Sequence, residues 1–290
     1  MTSPQPRYPW LTSPLQHLRR LPAWALLSLV MNGLLFFTLL VMLQRGSRSP
    51  DPMLASATAV AADAQSQPEA MFTPRLGNRQ VLNYDQWVGL LKTEAEAAAR
   101  ADLPHQAILL GDSLTLWFPP ELLPGRRSWL NQAISGEQSL GLLNRLTLLD
   151  QNTPEVVFIM VGINDLIWGS PVPELVNNLG ATVKYLHSVH PQARIVVQSI
   201  LPHGGAAATW EGRDRLANLS PQEIVAVNGQ IRQMATAAGA TYLDLYPLFV
   251  NDQGYLRSDL TTDGLHLNHN GYLVWRTALA MVSEADYPGP

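Results

Sequence analysis

Ser113 sits in the run Ile108–Trp117 ("ILLGDSLTLW"), which is apolar until Gly111-Asp112-Ser113 and apolar again after it. A buried strand has no use for an unpaired carboxylate. The pair is therefore either a turn with a helix cap or a strand end that presents a serine for chemistry. A serine hydroxyl is a poor nucleophile at neutral pH. It needs a base, a group that orients the base, and donors for the oxyanion. Asp263-Gly264-Leu265-His266 puts an acid three residues before a histidine. That spacing lets one loop hold the imidazole Nδ1–H with the carboxylate and turn Nε2 toward a serine. Gly136 and Asn164 follow two other apolar runs. A glycine lets a backbone N–H approach a substrate closely, and an asparagine amide donates without bringing charge. Each piece alone has a plain reading as a turn, an Asx-turn or surface polarity; their joint occurrence is the signal.

The elements that must position these residues repeat in a regular way. Gln106–Gly111, Trp129–Ile134, Glu155–Val161, Arg194–Ile200 and Thr241–Leu245 read as strands. Between them lie helical stretches: Tyr84 to about Ala98 with Asn83 as a cap, Gly141–Asp150, Pro173–Val189, Pro221 to about Ala238, and a last helix capped by Asn268. Ser220-Pro221-Gln222-Glu223 carries cap, proline and acid in the order a helix start requires. Apolar strands alternating with amphipathic helices predict a parallel sheet of about five strands covered on both faces, a three-layer flavodoxin-like α/β fold. Ligands in such folds sit beyond the carboxyl ends of the strands. Ser113, Gly136 and Asn164 all fall at that edge.

Four separated stretches carry a resemblance: "ILLGDSL" (Ile108–Leu114), "NQAISGEQS" (Asn131–Ser139), "VGIND" (Val161–Asp165) and "DGLHLN" (Asp263–Asn268). In this order they resemble the sequence blocks of the SGNH hydrolases, also called GDSL esterases and lipases. The "ISGEQS…GIND" section is most similar to the thioesterase and lysophospholipase branch. The resemblance runs from about Gln106 to about Ala280. It implies Ser113 as nucleophile, His266 as general base and Asp263 as the residue orienting it. It also implies an oxyanion hole of the Ser113 and Gly136 backbone N–H groups and the Asn164 side chain. Asp112 and Asp165 take motif positions expected to bond loop backbone. Glu137 stands where aspartate is frequent, with little consequence expected.

Trp117, just after the serine, and Trp168, in "INDLIWGSP", are candidate pocket residues, with packing as the alternative. The long loop Pro202–Leu219 is a candidate determinant of specificity, and His203 within it reads as a solvated loop histidine. His266 and His269 with Asp263 only superficially resemble a metal cluster, and no metal or other cofactor is expected. The chain has no cysteine, so thiolate chemistry and disulfides are excluded. Neither dinucleotide-binding nor P-loop fingerprints occur. The α/β-hydrolase G-x-S-x-G elbow is also absent, because Thr115 stands where its second glycine belongs.

Residues 1–50 hold five arginines and no acid, which leaves 14 basic against 23 acidic side chains in the rest of the chain. Such an acidic body is a poor nucleic-acid partner. Ala23–Leu43 runs for about 21 residues without a charge, enough to cross a bilayer core. Arg7, Arg19 and Arg20 precede it; Arg45 and Arg48 follow it. This weakly favours a cytoplasmic N-terminus. The expected organisation is a short cytoplasmic segment (1–22), a transmembrane anchor (23–43), a flexible linker rich in Ser, Ala, Pro and Gln (44–80), and a hydrolase domain (81–290). A cleaved signal peptide is the alternative. The expected protein is a single-pass, extracytoplasmic serine esterase acting on a lipid, lysophospholipid or acylated-sugar ester. An O-acyltransferase or deacetylase of envelope polysaccharide, or a non-catalytic glycan- or lipid-binding module, are the competing readings.

Overall fold

The computed structural model describes residues 82–284. The expected N-terminal segment (1–22), anchor (23–43) and linker (44–80) lie outside the described residues. Among the described residues no helix is long and apolar enough to cross a membrane.

Helix α1 (Tyr84–Ala101) starts where the sequence places a cap. The Asn83 side chain accepts from Gln86 N, and the Gln86 side chain accepts from Asn83 N, so two orphan donors of the first turn are satisfied together. Strand β1 (Gln106–Gly111) follows, buried along its whole length. The rest of the order is α2 (Ser113–Leu116), β2 (Ser128–Asn131), α3 (Ser139–Asn144), β3 (Val156–Met160), α4 (Ile163–Ile167) and α5 (Val172–Val189), then β4 (Arg194–Gln198), α6 (Arg213–Leu216), α7 (Pro221–Ala237), β5 (Thr241–Leu243), α8 (Tyr246–Phe249) and α9 (His269–Glu284). Ser220 and Glu223 form the second capping box, with Pro221 in the first turn of α7. At α9, Gly271 N donates to Asn268 Oδ1 (3.0 Å).

The five strands make one parallel sheet in the order β2-β1-β3-β4-β5. This is the flavodoxin-like doubly wound order. The pleat sends alternate side chains to opposite faces. Ile108, Leu110, Val157, Ile159, Ile195 and Val197 join a core with residues of α1, α3, α5 and α7. Ala107, Leu109, Val156, Phe158 and Val196 join a second core with Phe118, Tyr272, Trp275 and Leu279. The central strands β1, β3 and β4 are apolar on both sides because helices cover both faces.

The expected strands Arg194–Ile200 and Thr241–Leu245 end two residues early, at Gln198 and Leu243, and two other elements differ further. The helix foreseen over Gly141–Asp150 is split into α3 and a 3₁₀ turn, Leu146–Leu149, with Arg145 at the junction. The Arg145 side chain turns inward to a buried carboxylate instead of continuing a regular helix face. The second strand ends at Asn131 instead of Ile134, although Gln132 N and Ile134 N still donate to Leu109 O and Gly111 O. β1 and β3 adjoin, and their continuations run off to opposite sides of the sheet. Their carboxyl ends therefore flank the crevice at which this topology binds ligands.

Candidate active site

β1 delivers Ser113 to that crevice. A Cβ at Gly111 would collide with Met160 O and the Thr115 side chain, so only glycine lets β1 and β3 close this tightly just before the turn. Asp112 then caps α2, its Oδ1 accepting from Leu114 N (3.0 Å). Its other carboxylate oxygen is buried with no hydrogen-bond partner in the structure. Burial, aided by the charges of Glu137 and Asp165, pushes the Asp112 pKa up to about 7.

His266 comes from the loop before α9. Thr261 and Leu267 bridge in antiparallel fashion across that loop, and Gly264 adopts φ +87° between them. The Asp263 carboxylate organises the loop. Its Oδ1 accepts from Leu265 N (2.9 Å) and His266 N (2.8 Å), and its Oδ2 accepts from His266 Nδ1 (2.8 Å). Because a carboxylate only accepts, this bond assigns the proton to Nδ1 and leaves Nε2 as the acceptor. Nε2 lies 3.1 Å from Ser113 Oγ. Burial opposes the charge on Asp263, but hydrogen bonds from the His266 side chain and backbone outweigh it and hold the pKa below the usual carboxylate value. The Trp117 ring packs on the imidazole, centroids 4.2 Å apart and planes at 43°. Tyr272 of α9 donates to Leu114 O (2.9 Å), tying the last helix to the serine turn.

The other wall of the crevice comes from the loops after β2 and β3. Gly136 adopts φ +78° in open space; a Cβ there would meet nothing within 4 Å. Asn164 lies in the first turn of α4, and its Nδ2 donates one hydrogen to Glu137 O (3.1 Å), leaving the second amide hydrogen for another acceptor. The structure therefore draws Ser113, His266 and Asp263 into one hydrogen-bonded chain and sets Gly136 on the loop after β2 and Asn164 in the first turn of the helix after β3, the strands that flank β1.

Sequence reasoning missed what lies behind that wall. Glu137, expected to matter little, has a fully buried side chain paired with Arg145, also almost entirely buried. Arg145 Nε donates to both carboxylate oxygens (3.1 and 2.9 Å), and Tyr84 Oη donates to Oε1 (3.0 Å). Burial, with the negative charge of Glu137 next, raises the Tyr84 pKa to about 12. One sequence signal was available: Arg145 is the single charge inside the apolar run "SLGLLNRLTLL". Beside it, Asp165 accepts from Ser139 N (2.9 Å) and Ser139 Oγ (2.5 Å), and Asn178 Nδ2 donates to that same Oγ (3.0 Å).

The long loop after β4 departs from expectation. His203 is 1% exposed, not solvated. Its Nε2 lies 2.8 Å from Leu219 O, and its Nδ1 accepts from Gly205 N (2.9 Å). Burial lowers its pKa, and a neutral ring with one donor and one acceptor suits both partners. The loop also grips the histidine loop: Gly204 N donates to Gly264 O (2.6 Å), and Thr209 N to Asp263 O (2.8 Å). Of the two candidate pocket residues, Trp117 lies against His266, whereas Trp168 is 57% exposed and lines an open cavity beyond α4.

A doubly wound parallel sheet carrying a Ser–His–Asp chain at the carboxyl edge of its strands is the framework of a nucleophilic hydrolase. Residues 109–274 match the model of the GDSL-like Lipase/Acylhydrolase family. The chain belongs to that family, the one its four sequence blocks resemble, and is a hydrolase acting on esters. It is 27% identical over 187 residues to the human platelet-activating factor acetylhydrolase IB subunit alpha1, covering 59% of this chain and 72% of that protein. The Bos taurus counterpart is 28% identical over 182 residues, with the same coverage. A GDSL-like lipase from Bacteroides thetaiotaomicron shares the fold, with a TM-score of 0.57 at 20% identity over 69% of this chain and 98% of that one.

Proposed function

We propose that this protein is a membrane-anchored serine esterase that works through an acyl-enzyme on Ser113. The observation that carries the reading is the hydrogen-bonded chain from Ser113 Oγ through His266 to Asp263, with contacts of 3.1 and 2.8 Å. Ser113 Oγ attacks the ester carbonyl carbon as its proton passes to His266 Nε2. Negative charge builds on the carbonyl oxygen, which the Ser113 and Gly136 N–H groups and the free amide hydrogen of Asn164 stabilise. His266 then protonates the departing alcohol, and the C–O bond to it breaks. Water, deprotonated by His266, attacks the acyl carbon and frees Ser113. Asp263 stabilises the transient imidazolium and holds its tautomer. The name of the human relative, an acetylhydrolase, supports a short acyl group.

Ala23–Leu43 is the proposed anchor, with the catalytic domain outside the cytoplasm. Protease protection of spheroplasts tests that topology: a domain that external protease reaches only after the inner membrane is lysed overturns it. The chemistry is tested with Ser113→Ala on 4-nitrophenyl acetate. Loss of at least about 10³-fold in kcat/KM is expected, together with loss of fluorophosphonate labelling. Turnover close to wild type in that variant overturns the mechanism.

A further inference from the structure

α4 joins the candidate oxyanion donor to a second place on the surface. Trp168 N donates to Asn164 O (2.9 Å), so Trp168 is one helical turn beyond Asn164 and on the same face. Residues so spaced have Cβ atoms about 5–6 Å apart. The turn is then stopped firmly: Gly169 takes φ +77°, Gly169 N donates to Leu166 O, and Ser170 N to Asp165 O. Trp168 thereby forms one wall of a cavity of about 530 Å³, within the usual range for small-molecule sites.

The lining is amphipathic. Ile167, Leu219 and Val227 make a buried apolar floor. Arg215, Asn218, Glu223, Gln230 and Ser170 bring polar side chains to the cavity. The Arg215 guanidinium lies over the Trp168 ring, 3.5 Å from its centroid, which holds both planar groups in place while Trp168 remains more than half exposed. Glu223 Oε2 accepts from Ser220 N (2.7 Å) and Ser220 Oγ (2.8 Å). Those bonds, the backbone one first, lower its pKa and keep it anionic at neutral pH.

We propose that this cavity is the subsite for the alcohol portion of the ester, and that the alcohol is a neutral glycosyl group, so that the substrate is an O-acylated carbohydrate. The polar lining disfavours an acyl chain, which gains nothing from a guanidinium, a carboxylate and two amides. One cation and one anion within the same cavity disfavour a headgroup of net negative charge, and the acidic body adds to that; a zwitterionic headgroup is the competing occupant that lysophosphatidylcholine tests. An indole plane, an apolar floor and paired donors and acceptors match a sugar ring, with its C–H faces and ring of hydroxyls. The place of this cavity in turnover rests on the esterase reading above.

The test uses the purified full chain in detergent, with Trp168→Ala and Arg215→Ala, on methyl 6-O-acetyl-glucopyranoside (which keeps three free hydroxyls), 4-nitrophenyl acetate and lysophosphatidylcholine. The readout is the ratio of kcat/KM for the sugar ester to that for the aryl ester. Wild type is expected to favour the sugar ester, and each variant to lower the ratio at least tenfold, mainly through KM. A parallel fall on both esters, or no change on either, overturns the subsite. A larger loss on lysophosphatidylcholine than on the sugar ester overturns the glycosyl assignment. If wild type hydrolyses none of the three, the esterase reading fails on its own. Calorimetric binding of methyl 6-O-acetyl-glucopyranoside to Ser113→Ala, lost on adding Arg215→Ala, then still supports the subsite; absence of binding overturns it.

Discussion

Two loops close on the carboxyl edge around Ser113, and they are held in different ways. The Asp263–His266 loop is half-buried and relies on hydrogen bonds made within itself and to Gly204 and Thr209. The Gly136–Ser139 loop rests on charge withdrawn from water: the Glu137–Arg145 pair, Tyr84 on Glu137, and Asp165 on Ser139. In the proposed mechanism the first passes a proton in every turnover, and its bonds run to one carboxylate and to the backbone of the neighbouring loop. The second, in that mechanism, only has to present fixed donors to a transient oxyanion, and preorganisation is worth most where nothing reorients. Buried ion pairs tolerate no missing partner, so the second loop should answer damage with lost folding and the first with lost rate.

The largest effect should follow Asp263→Asn. An amide can offer Nδ1 a donor where an acceptor is needed, and the wrong tautomer should lower kcat by about 10²–10⁴-fold. The thermal midpoint at pH 7 should move far less than for damage to the buried pair. Sign matters here: the Asp263 pKa is depressed on folding, so its stabilisation is present above the ordinary value near 3.8 and is lost as pH falls through the folded value. The variant should therefore lack that part of the acid-induced loss of stability, measured by thermal melts below pH 4. A full-rate Asp263→Asn breaks the contrast between the loops.

Glu137→Gln comes next. It leaves Arg145 buried without its counter-charge, a loss of about 3–5 kcal/mol read by urea denaturation. Glu137→Asp keeps the charge and should recover part of the loss. If Glu137→Gln melts like wild type, the second loop is not held by charge.

A smaller effect is expected of Trp117→Leu, which strips the aromatic contact from the His266 ring. Ring contacts of this kind are worth about 0.5–1.5 kcal/mol, so kcat/KM should fall about 2- to 10-fold with little change in melting. Asp112→Asn should do least to the rate, and its signature is a pH dependence. The raised Asp112 pKa means its protonated form is the stable one. Wild type therefore loses stability as pH rises from near 3.8 through about 7. The melting temperature of the variant should gain on wild type over that interval and run parallel above it. A constant difference across the range would show that Asp112 does not titrate there.

The strand order along the chain, the two long-helix caps Asn83 and Ser220 and the four motif blocks were legible in the residues. Each depends on neighbours within a few positions: Asn83 and Gln86, Ser220 and Glu223, Asp263 and His266. Alternation of period two and the helical period carry the layers in the same local way. The weight of Glu137 was only hinted at by Arg145, eight residues on; its complete burial was not legible, because Tyr84, which closes over it, lies 53 residues away in the chain. His203 looked like a solvated loop residue because nothing nearby in sequence announces the fold of Pro202–Leu219 back over it. The cavity at Trp168 needs Arg215 and Glu223, which reach it only after β4 and the loop following it. The sequence by itself determined the alternation of strands and helices, the helix starts and the four motif blocks, since those follow from spacing along one chain. Tertiary structure alone decided which charges lose water and which aromatic face stays open, because desolvation is set by whatever distant segments pack against a group.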